Sequence, residues 1–307
     1  MTTLARRGAA ALVLVLAHAW TSAAEPAPLT VCMAENNPPL SYRANGEMRG
    51  LDVRVAAAIA AELHRPLRIV PFESKYEHES TLSQEVNALL SSGVCEIASG
   101  FALLAADLGP PARPTARVPD HPGAKRPAQR SWVSLGTLVA TRPYHTMAMV
   151  LVVRDPARQA ATLATLEEAR IGVVSGTLAG TAVSLYRNGK LRGQTISLAQ
   201  TQDVLDELEA GRFDATLIAL DRLDAWRLAH PGTALRRAGY THPLRINIGF
   251  VALDSAADVL AGAERALARA AENGDLERWS EQTGTTWVAP AQPAIAPPIG
   301  LADLIRE

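Results

Sequence analysis

The sequence predicts an α/β protein of two lobes, each built on a mostly parallel sheet with helices packed against it. Short apolar runs alternate with amphipathic runs from residue 29 to residue 102, which is typical of parallel strands joined by crossover helices. The same alternation resumes at residue 147, after a stretch that interrupts it. A chain of 307 residues, 48% hydrophobic and 20% charged, is long enough for two compact lobes.

The first lobe begins with an alternation of strands and helices. Strands are predicted over the apolar runs 29–34, 67–70 and 94–98. A first helix is predicted to start at Asp52, which we expect to be its N-cap. A second helix is predicted over 81–92 and ends at Gly93, since glycine commonly follows the last helical turn. This order predicts parallel pairing of the strands.

Residues 102–131 interrupt the alternation. The stretch contains six prolines and five basic residues: Pro110, Pro111, Pro114, Pro119, Pro122 and Pro127, with Arg113, Arg117, Lys125, Arg126 and Arg130. It predicts a long basic loop, and a long loop inside a compact protein is usually functional or mobile.

The second half of the chain repeats the strand and helix pattern. Strands are predicted over 147–153, 170–174, 213–220 and 246–253. Helices are predicted over 163–169, after Thr177, and over 201–210, 257–273 and 276–282. The chain from Ala289 onward carries four prolines before Gly300 and is predicted to be irregular.

The N-terminus has the pattern of a secretory signal peptide. Arg6 and Arg7 precede the apolar run 8–16, and small residues follow, so we expect cleavage after Ala24. A membrane anchor is the alternative, but spanning a bilayer takes about 20 apolar residues, about twice this run. Removing residues 1–24 takes the formal net charge from −1 to −3, which gives no reason to expect nucleic acid as a partner. The sequence therefore predicts a periplasmic protein.

Cys32 and Cys95 both lie in apolar, strand-like runs. In an oxidising compartment a single pair of cysteines is expected to form a disulfide. Two buried free thiols are the alternative. A metal site is not expected, because no histidine stands at ligand spacing from either cysteine.

Several segments, in their order and spacing, resemble the type II periplasmic solute-binding family, specifically the branch that carries polar amino acids (bacterial extracellular solute-binding family 3). The segments are Gly50-Leu51-Asp52-Val53, Leu89 to Ile97, Arg142-Pro143-Tyr144, Arg170 to Thr177, Leu208 to Ala215, and Asn273 to Leu276 followed by Trp279. The resemblance extends from residue 29 to residue 287. It implies a two-lobed "Venus flytrap", with lobe 1 at 25–143 plus 248–290, lobe 2 at 144–247 and an irregular tail at 291–307.

The resemblance also implies where a ligand binds. The residues expected at the site are Glu35, Asn36, Tyr42, Gly100, Phe101, Ser175, Gly176, Thr177 and Asp221. The strongest signal is Ser175-Gly176-Thr177, where a strand end runs into a helix start with free backbone N–H groups. A simple helix cap is the alternative there. The remaining residues follow strand ends, where α/β sheets bind ligands.

Two departures from the family pattern affect the ligand. The arginine that clamps the α-carboxylate in amino-acid binders is absent, because the corresponding stretch is Ala102 to Asp107. The acid for the amino group is also displaced, since Ala219 occupies its place and Asp221 lies two residues later. We therefore expect a small polar or anionic solute rather than a standard amino acid.

Glu73, Glu77, His78 and Glu79 form an acidic cluster. A site for a hard cation is one interpretation, since such ions take carboxylate ligands. A solvated helix entrance, where acids favour the N-terminus, is the interpretation we prefer. We expect neither a metal nor a cofactor.

The leading functional hypothesis is a monomeric, non-enzymatic binding protein that delivers a small molecule to an ABC transporter permease. One alternative is an accessory protein, because the cysteine placement and altered ligand residues also resemble chains associated with periplasmic quinoprotein alcohol dehydrogenases. A second is an enzyme, since a periplasmic cyclohexadienyl dehydratase shares this fold. The enzyme would need an acid with a shifted pKa in the cleft.

Overall fold

The computed structural model describes residues 26–74, 81–126, 129–155 and 160–306. The predicted signal peptide lies outside these residues, as do Glu77, His78 and Glu79. Over the described ranges, no helix has the length and apolar character needed to cross a membrane.

The elements alternate along the chain as the sequence predicts. The strands of the first half are β1 (Leu29–Ala34), β2 (Asn36–Asn37), β3 (Ser41–Ala44), β4 (Glu47–Arg49), β5 (Leu67–Phe72), β6 (Ile97–Ala102), β7 (Thr115–Ala116), β8 (Val133–Ser134) and β9 (Leu138–Ala140). The strands of the second half are β10 (His145–Val153), β11 (Ile171–Val174), β12 (Thr195–Leu198), β13 (Ala215–Ala219) and β14 (Arg236–Leu253). The helices are α1 (Leu51–Glu62), α2 (Leu82–Ser91), α3 (Leu178–Gly189), α4 (Val204–Glu209), α5 (Leu220–Ala229), α6 (Ala257–Glu272), α7 (Asp275–Thr283) and α8 (Leu301–Leu304).

The main sheet passes through both lobes in the order β12-β11-β13-β10-β14-β6-β1-β5, and β9 also pairs with β14. Its two ends are parallel: β1 lies between β5 and β6, and β11 lies between β12 and β13. The middle is antiparallel, because β14 pairs with β9 and β10 on one side and with β6 on the other. The 18 residues of β14 therefore connect the two lobes.

Each lobe has its own buried core. In the first lobe α1 and α6 pack on the sheet, and Ile59, Phe250 and Leu267 are buried among their apolar neighbours. In the second lobe Leu151 and Phe213 lie in separate clusters on the two faces of the sheet. Two cores explain two lobes, since each sheet half buries its apolar side chains independently. The exact lobe boundaries stay a prediction.

Three local predictions were wrong. The N-cap of α1 is Gly50, and Asp52 lies inside the helix, fully buried, where its carboxyl accepts hydrogen bonds from Ser99 of β6 and from Tyr144 just before β10. Helix α5 starts where the strand was expected to end, and its mixed apolar and charged sequence gave no clear helical face. Strand β14 starts at Arg236, ten residues earlier than predicted. The prediction missed its first half because that part contains many polar residues and no apolar run.

The basic loop has a defined structure in its described part. Strand β7 pairs with β8, and the guanidinium of Arg130 donates to the carbonyl oxygens of Val118 and Lys125 and to the carboxylate of Asp120. The loop is also tied to the end of β5, because the Glu73 N–H donates to the backbone carbonyl oxygen of Asp120 over 2.9 Å. These contacts hold the loop against the first lobe.

The tail contains more structure than the irregular segment predicted at 291–307. It includes α8, and the side chain of Leu304 is buried in the second-lobe core. Nearer the middle of the molecule, the Asn247 side chain forms hydrogen bonds with residues 291–294. The tail also pairs with the first lobe, since the Ala296 N–H donates to Leu103 and its carbonyl accepts from Ala105. The tail therefore contacts both lobes.

Candidate ligand cavity

A cavity of about 440 Å³ lies at the carboxyl ends of β1, β5 and β6. This is the edge where parallel strands leave backbone groups available to a ligand. Its volume falls in the range of about 300–1,000 Å³ that is usual for small-molecule sites.

The cavity wall contains residues of the first lobe, of the connecting strands and of the second lobe. The first lobe supplies Ala34, Asn36, Asn37, Leu40, Ser41, Phe72, Glu73, Ser74, Leu82, Val86, Ser99, Gly100, Phe101 and Ala102. The connecting strands β10 and β14 add Met147 and Ile248, and the second lobe adds Asp221. A solute in this cavity would touch both lobes.

Four of the predicted ligand residues line the cavity: Asn36, Gly100, Phe101 and Asp221. Gly100 has a φ of +68°, and a Cβ there would lie 3.0 Å from Oδ2 of Asp52. The close approach and the left-handed backbone explain why this position carries glycine.

Glu35 and Tyr42 are near the cavity but are not among its lining residues. The Glu35 carboxylate forms an ion pair with Arg43 over 2.8 Å. Tyr42 pairs with Asn36 across the hairpin of β2 and β3. Both side chains therefore flank the wall rather than form it.

The segment Ser175-Gly176-Thr177 also lies outside the cavity wall. Thr177 is the N-cap of α3: its hydroxyl accepts from the Gly180 N–H over 3.0 Å and donates to the Val174 oxygen. Ser175 lies beside Ser197 at the end of β12, with the two hydroxyl oxygens 3.4 Å apart. Ligand contact by this segment stays a prediction.

Beneath the cavity is a buried hydrogen-bond network centred on Asp52. Its carboxylate accepts from the Ser99 hydroxyl over 2.8 Å and from the Tyr144 hydroxyl over 2.6 Å. The Tyr144 oxygen in turn accepts from the Gly100 N–H over 3.2 Å. The network fixes the end of β6, and with it the two lining residues Ser99 and Gly100.

Burial determines the ionisation of this network. Desolvation raises the pKa of Asp52, and the hydrogen bonds from Tyr144 and Ser99 oppose that effect. Burial also raises the pKa of Tyr144 well above its ordinary value, with a further contribution from the neighbouring Asp52. The phenol therefore stays protonated and keeps donating to the carboxyl group.

A second pair joins the connecting strands to the second lobe. Nε2 of the fully buried His145, at the start of β10, lies 3.3 Å from Oδ1 of Asp221, in the first turn of α5. The side chain of Asp221 is 14% exposed, on the cavity side. The contact positions the Asp221 carboxylate. Among the described residues, it is the one carboxylate of the second lobe that lines the cavity.

The sequence indicated some of the wall but not all of it. Ser99 directly precedes Gly100 and Phe101, which were predicted at the site. Glu73 was interpreted as part of a solvated acidic cluster, yet it lines the cavity beside Ser74. Met147 and Ile248 carry no polar signal, and only the crossing of β10 and β14 brings them to the site. None of these residues has a motif of its own.

The predicted disulfide is confirmed. Cys32 at the middle of β1 and Cys95 just before β6 are bonded, with their Cα atoms 5.7 Å apart. Both cysteines are buried in the cluster that also contains Phe101. The bridge therefore ties the middle of β1 to the segment that leads into the neighbouring strand β6.

Comparison with known proteins agrees with this architecture. The chain has the two-lobed fold of periplasmic solute-binding proteins. Residues 29–94 match the family described as bacterial extracellular solute-binding proteins, family 3. No curated protein sequence matches the chain.

Three solved structures illustrate the likeness. The L-cystine solute receptor of Neisseria gonorrhoeae, in its unliganded open conformation, is 17% identical with a TM-score of 0.58, covering 86% of this chain and 95% of its own. Substrate-binding domain 2 of Lactococcus lactis GlnP, also open, is 13% identical with a TM-score of 0.61, covering 87% and 97%. An ancestral cationic amino acid solute-binding protein is 17% identical with a TM-score of 0.58, covering 84% and 96%. At these identities the likeness establishes the fold.

Proposed function

We propose that this protein is exported to the periplasm and captures a small polar solute between its lobes for an ABC importer. The observation that carries the proposal is the cavity of about 440 Å³, which both lobes line. The match of residues 29–94 to an extracellular solute-binding family supports the same function. The carboxyl groups of Glu73 and Asp221 on the wall favour the polar class over the anionic class of solute.

Closure of the lobes is part of this proposal. The segment 175–177 begins α3 in the second lobe, outside the cavity wall. Rotation about β10 and β14 would bring this segment, with the Ser175 hydroxyl, toward the solute, as in other hinged binding proteins. The division we propose places lobe 1 at 25–143 plus 248–290, lobe 2 at 144–247 and the tail at 291–307.

The experiment is native mass spectrometry of the full chain purified from the periplasm, followed by small-angle scattering with and without the solute that co-purifies. We expect a bound small molecule and a smaller radius of gyration in its presence. Asn36→Trp, which fills the cavity from its exposed rim, should abolish retention of the solute. Glu47→Trp, on the nearby strand β4 and 77% exposed, should leave retention unchanged. The absence of any retained or added solute that binds would contradict the proposal.

The two alternatives are less well supported. Burial raises the pKa of the carboxyl groups of Asp52 and Asp224, but neither residue lines the cavity. An acid that cannot reach a solute cannot transfer a proton to it, so we favour binding over catalysis. No feature of the described residues favours a quinoprotein dehydrogenase over a transporter as the partner.

A further inference from the structure

The two charged side chains on the described part of the cavity wall are both acidic. Glu73 at the end of β5 and Asp221 at the start of α5 approach from different lobes. Among the lining residues that the structure describes there is neither lysine nor arginine. Against these described residues a carboxylate would meet two carboxyl groups and neither lysine nor arginine, and like charges are strongly unfavourable where water is excluded.

Two more carboxyl groups lie just behind the wall. Asp52 is buried below Gly100, with Oδ2 3.0 Å from the place where a Cβ of Gly100 would be. Glu85 is buried beneath Ser74 and accepts a hydrogen bond from its hydroxyl. Neither is exposed to the solute, but both add acceptor character to the polar groups that are.

The rest of the wall suits a short organic body. Its apolar side chains are Ala34, Leu40, Phe72, Leu82, Val86, Phe101, Ala102, Met147 and Ile248, and its neutral polar side chains are Asn36, Asn37, Ser41, Ser74 and Ser99. The apolar groups would cover methylenes, while the amide and hydroxyl oxygens accept hydrogen bonds from an ammonium group.

We propose that the solute is a small organic amine, carried as its ammonium ion and lacking a carboxylate, with an ammonium group bound to Asp221. This rests on the proposed function and specifies its ligand. One oxygen of Asp221 is directed at His145, and the carboxylate has a second oxygen for the solute.

The test compares each amine with the amino acid that differs from it only by carrying an α-carboxylate. The chain, stripped of solute by unfolding and refolding, is titrated calorimetrically with three pairs: putrescine and ornithine, cadaverine and lysine, agmatine and arginine. We expect at least one amine to bind, and to bind about tenfold or more tightly than its parent amino acid. An amino acid that binds more tightly than its amine would overturn the proposal.

Substitution of the carboxylate tests the assignment of Asp221. Asp221→Asn should weaken binding of the amine by about tenfold or more, because the ammonium loses its charged partner. Asp254→Asn, an exposed aspartate outside the cavity, is the matched control and should bind as the unaltered chain does. Both variants are checked for an unchanged thermal midpoint, and equal binding by both variants would overturn the assignment.

The result separates this proposal from the one it rests on. If no amine binds but a neutral or anionic solute is retained from the periplasm, the amine proposal fails and solute capture stands. If nothing is retained and nothing in the panel binds, solute capture itself fails.

Discussion

The hydroxyl of Tyr144 donates a 2.6 Å hydrogen bond to Oδ1 of Asp52, a residue 92 positions earlier in the chain. Both side chains are fully buried. The contact joins the entrance of β10, one of the strands between the lobes, to the first turn of α1. Since the same hydroxyl oxygen accepts from Gly100, one phenol links three segments around the base of the cavity.

Tyr144→Phe removes this link while keeping the ring. The Gly100 N–H and one oxygen of Asp52 then lose a partner inside the protein, and each such loss costs about 1–3 kcal/mol. We expect the free energy of unfolding in urea to fall by about 2 kcal/mol or more. Tyr42→Phe is the control, because no hydrogen bond of that hydroxyl lies within the described structure. Equal stability of the two variants would argue against the network.

The raised pKa of Asp52 should make the free energy of unfolding depend on pH. Burial raises its folded-state pKa above the ordinary value of 3.8, so the folded protein holds this proton more tightly than the unfolded chain does. The stability this provides is complete below pH 3.8 and is lost as pH rises through the folded pKa. Asn at this position cannot titrate.

We therefore expect the stability advantage of the unaltered chain over Asp52→Asn to shrink as pH is raised from about 4 to about 7. Urea unfolding at a series of pH values measures that difference, in which the other titrating groups cancel. Asp254→Asn, at an exposed position, should give a difference that changes little with pH. An advantage that grows with pH would show that hydrogen bonds, rather than burial, dominate the pKa of Asp52.

The disulfide should contribute through the unfolded state. Cys32 and Cys95 are 63 residues apart, and closing a loop of that size is worth about 4 kcal/mol in the chain-entropy account. We expect Cys32→Ala/Cys95→Ala to unfold at correspondingly lower urea. The reduced unaltered chain is the control, because it keeps both sulfur atoms and so separates loop entropy from lost packing. If the oxidised and reduced chains unfold at the same urea concentration, the bridge contributes nothing.

Local signals explain which parts of the structure the sequence predicts. Strand β1 is a mostly apolar run, and α2 follows its N-cap Thr81, whose side chain forms a capping box with that of Gln84. Such features depend on neighbouring residues only. The cavity does not: Glu73 and Asp221 are 148 positions apart and meet only because both lobes contribute to one wall.

Helix α5 shows the same limit from another side. Asp221 was expected at the ligand site, two residues after the place of the family's acid, and it does line the cavity. The helix that carries it was missed, because its mixed apolar and charged residues gave no clear helical face. Tertiary packing, rather than propensity, decides where that strand ends.

We expect the side chain of Asn247 to hold the tail against the connecting strands β10 and β14. The side-chain oxygen of Asn247 accepts from the Thr146 hydroxyl over 2.6 Å and from the Ala291 N–H over 2.9 Å. Its NH₂ donates to the carbonyl oxygens of Ala291 and Ala294 over 2.8 and 2.9 Å. Beyond these contacts, Leu304 is buried against the second lobe. One amide therefore connects β14 and β10 to the segment that continues onto that lobe.

Asn247→Ala leaves several buried polar groups without this partner. Since each unsatisfied group costs about 1–3 kcal/mol, we expect unfolding to become easier by about 2 kcal/mol or more. Segment 291–306 should also become accessible to limited proteolysis, followed by mass spectrometry, before the lobes are cleaved. Asn273→Ala, at the exposed end of α6, is the control and should leave both measurements nearly unchanged. If the tail of Asn247→Ala is cut no faster than that of Asn273→Ala, the contacts of Leu304, rather than this amide, hold the tail in place.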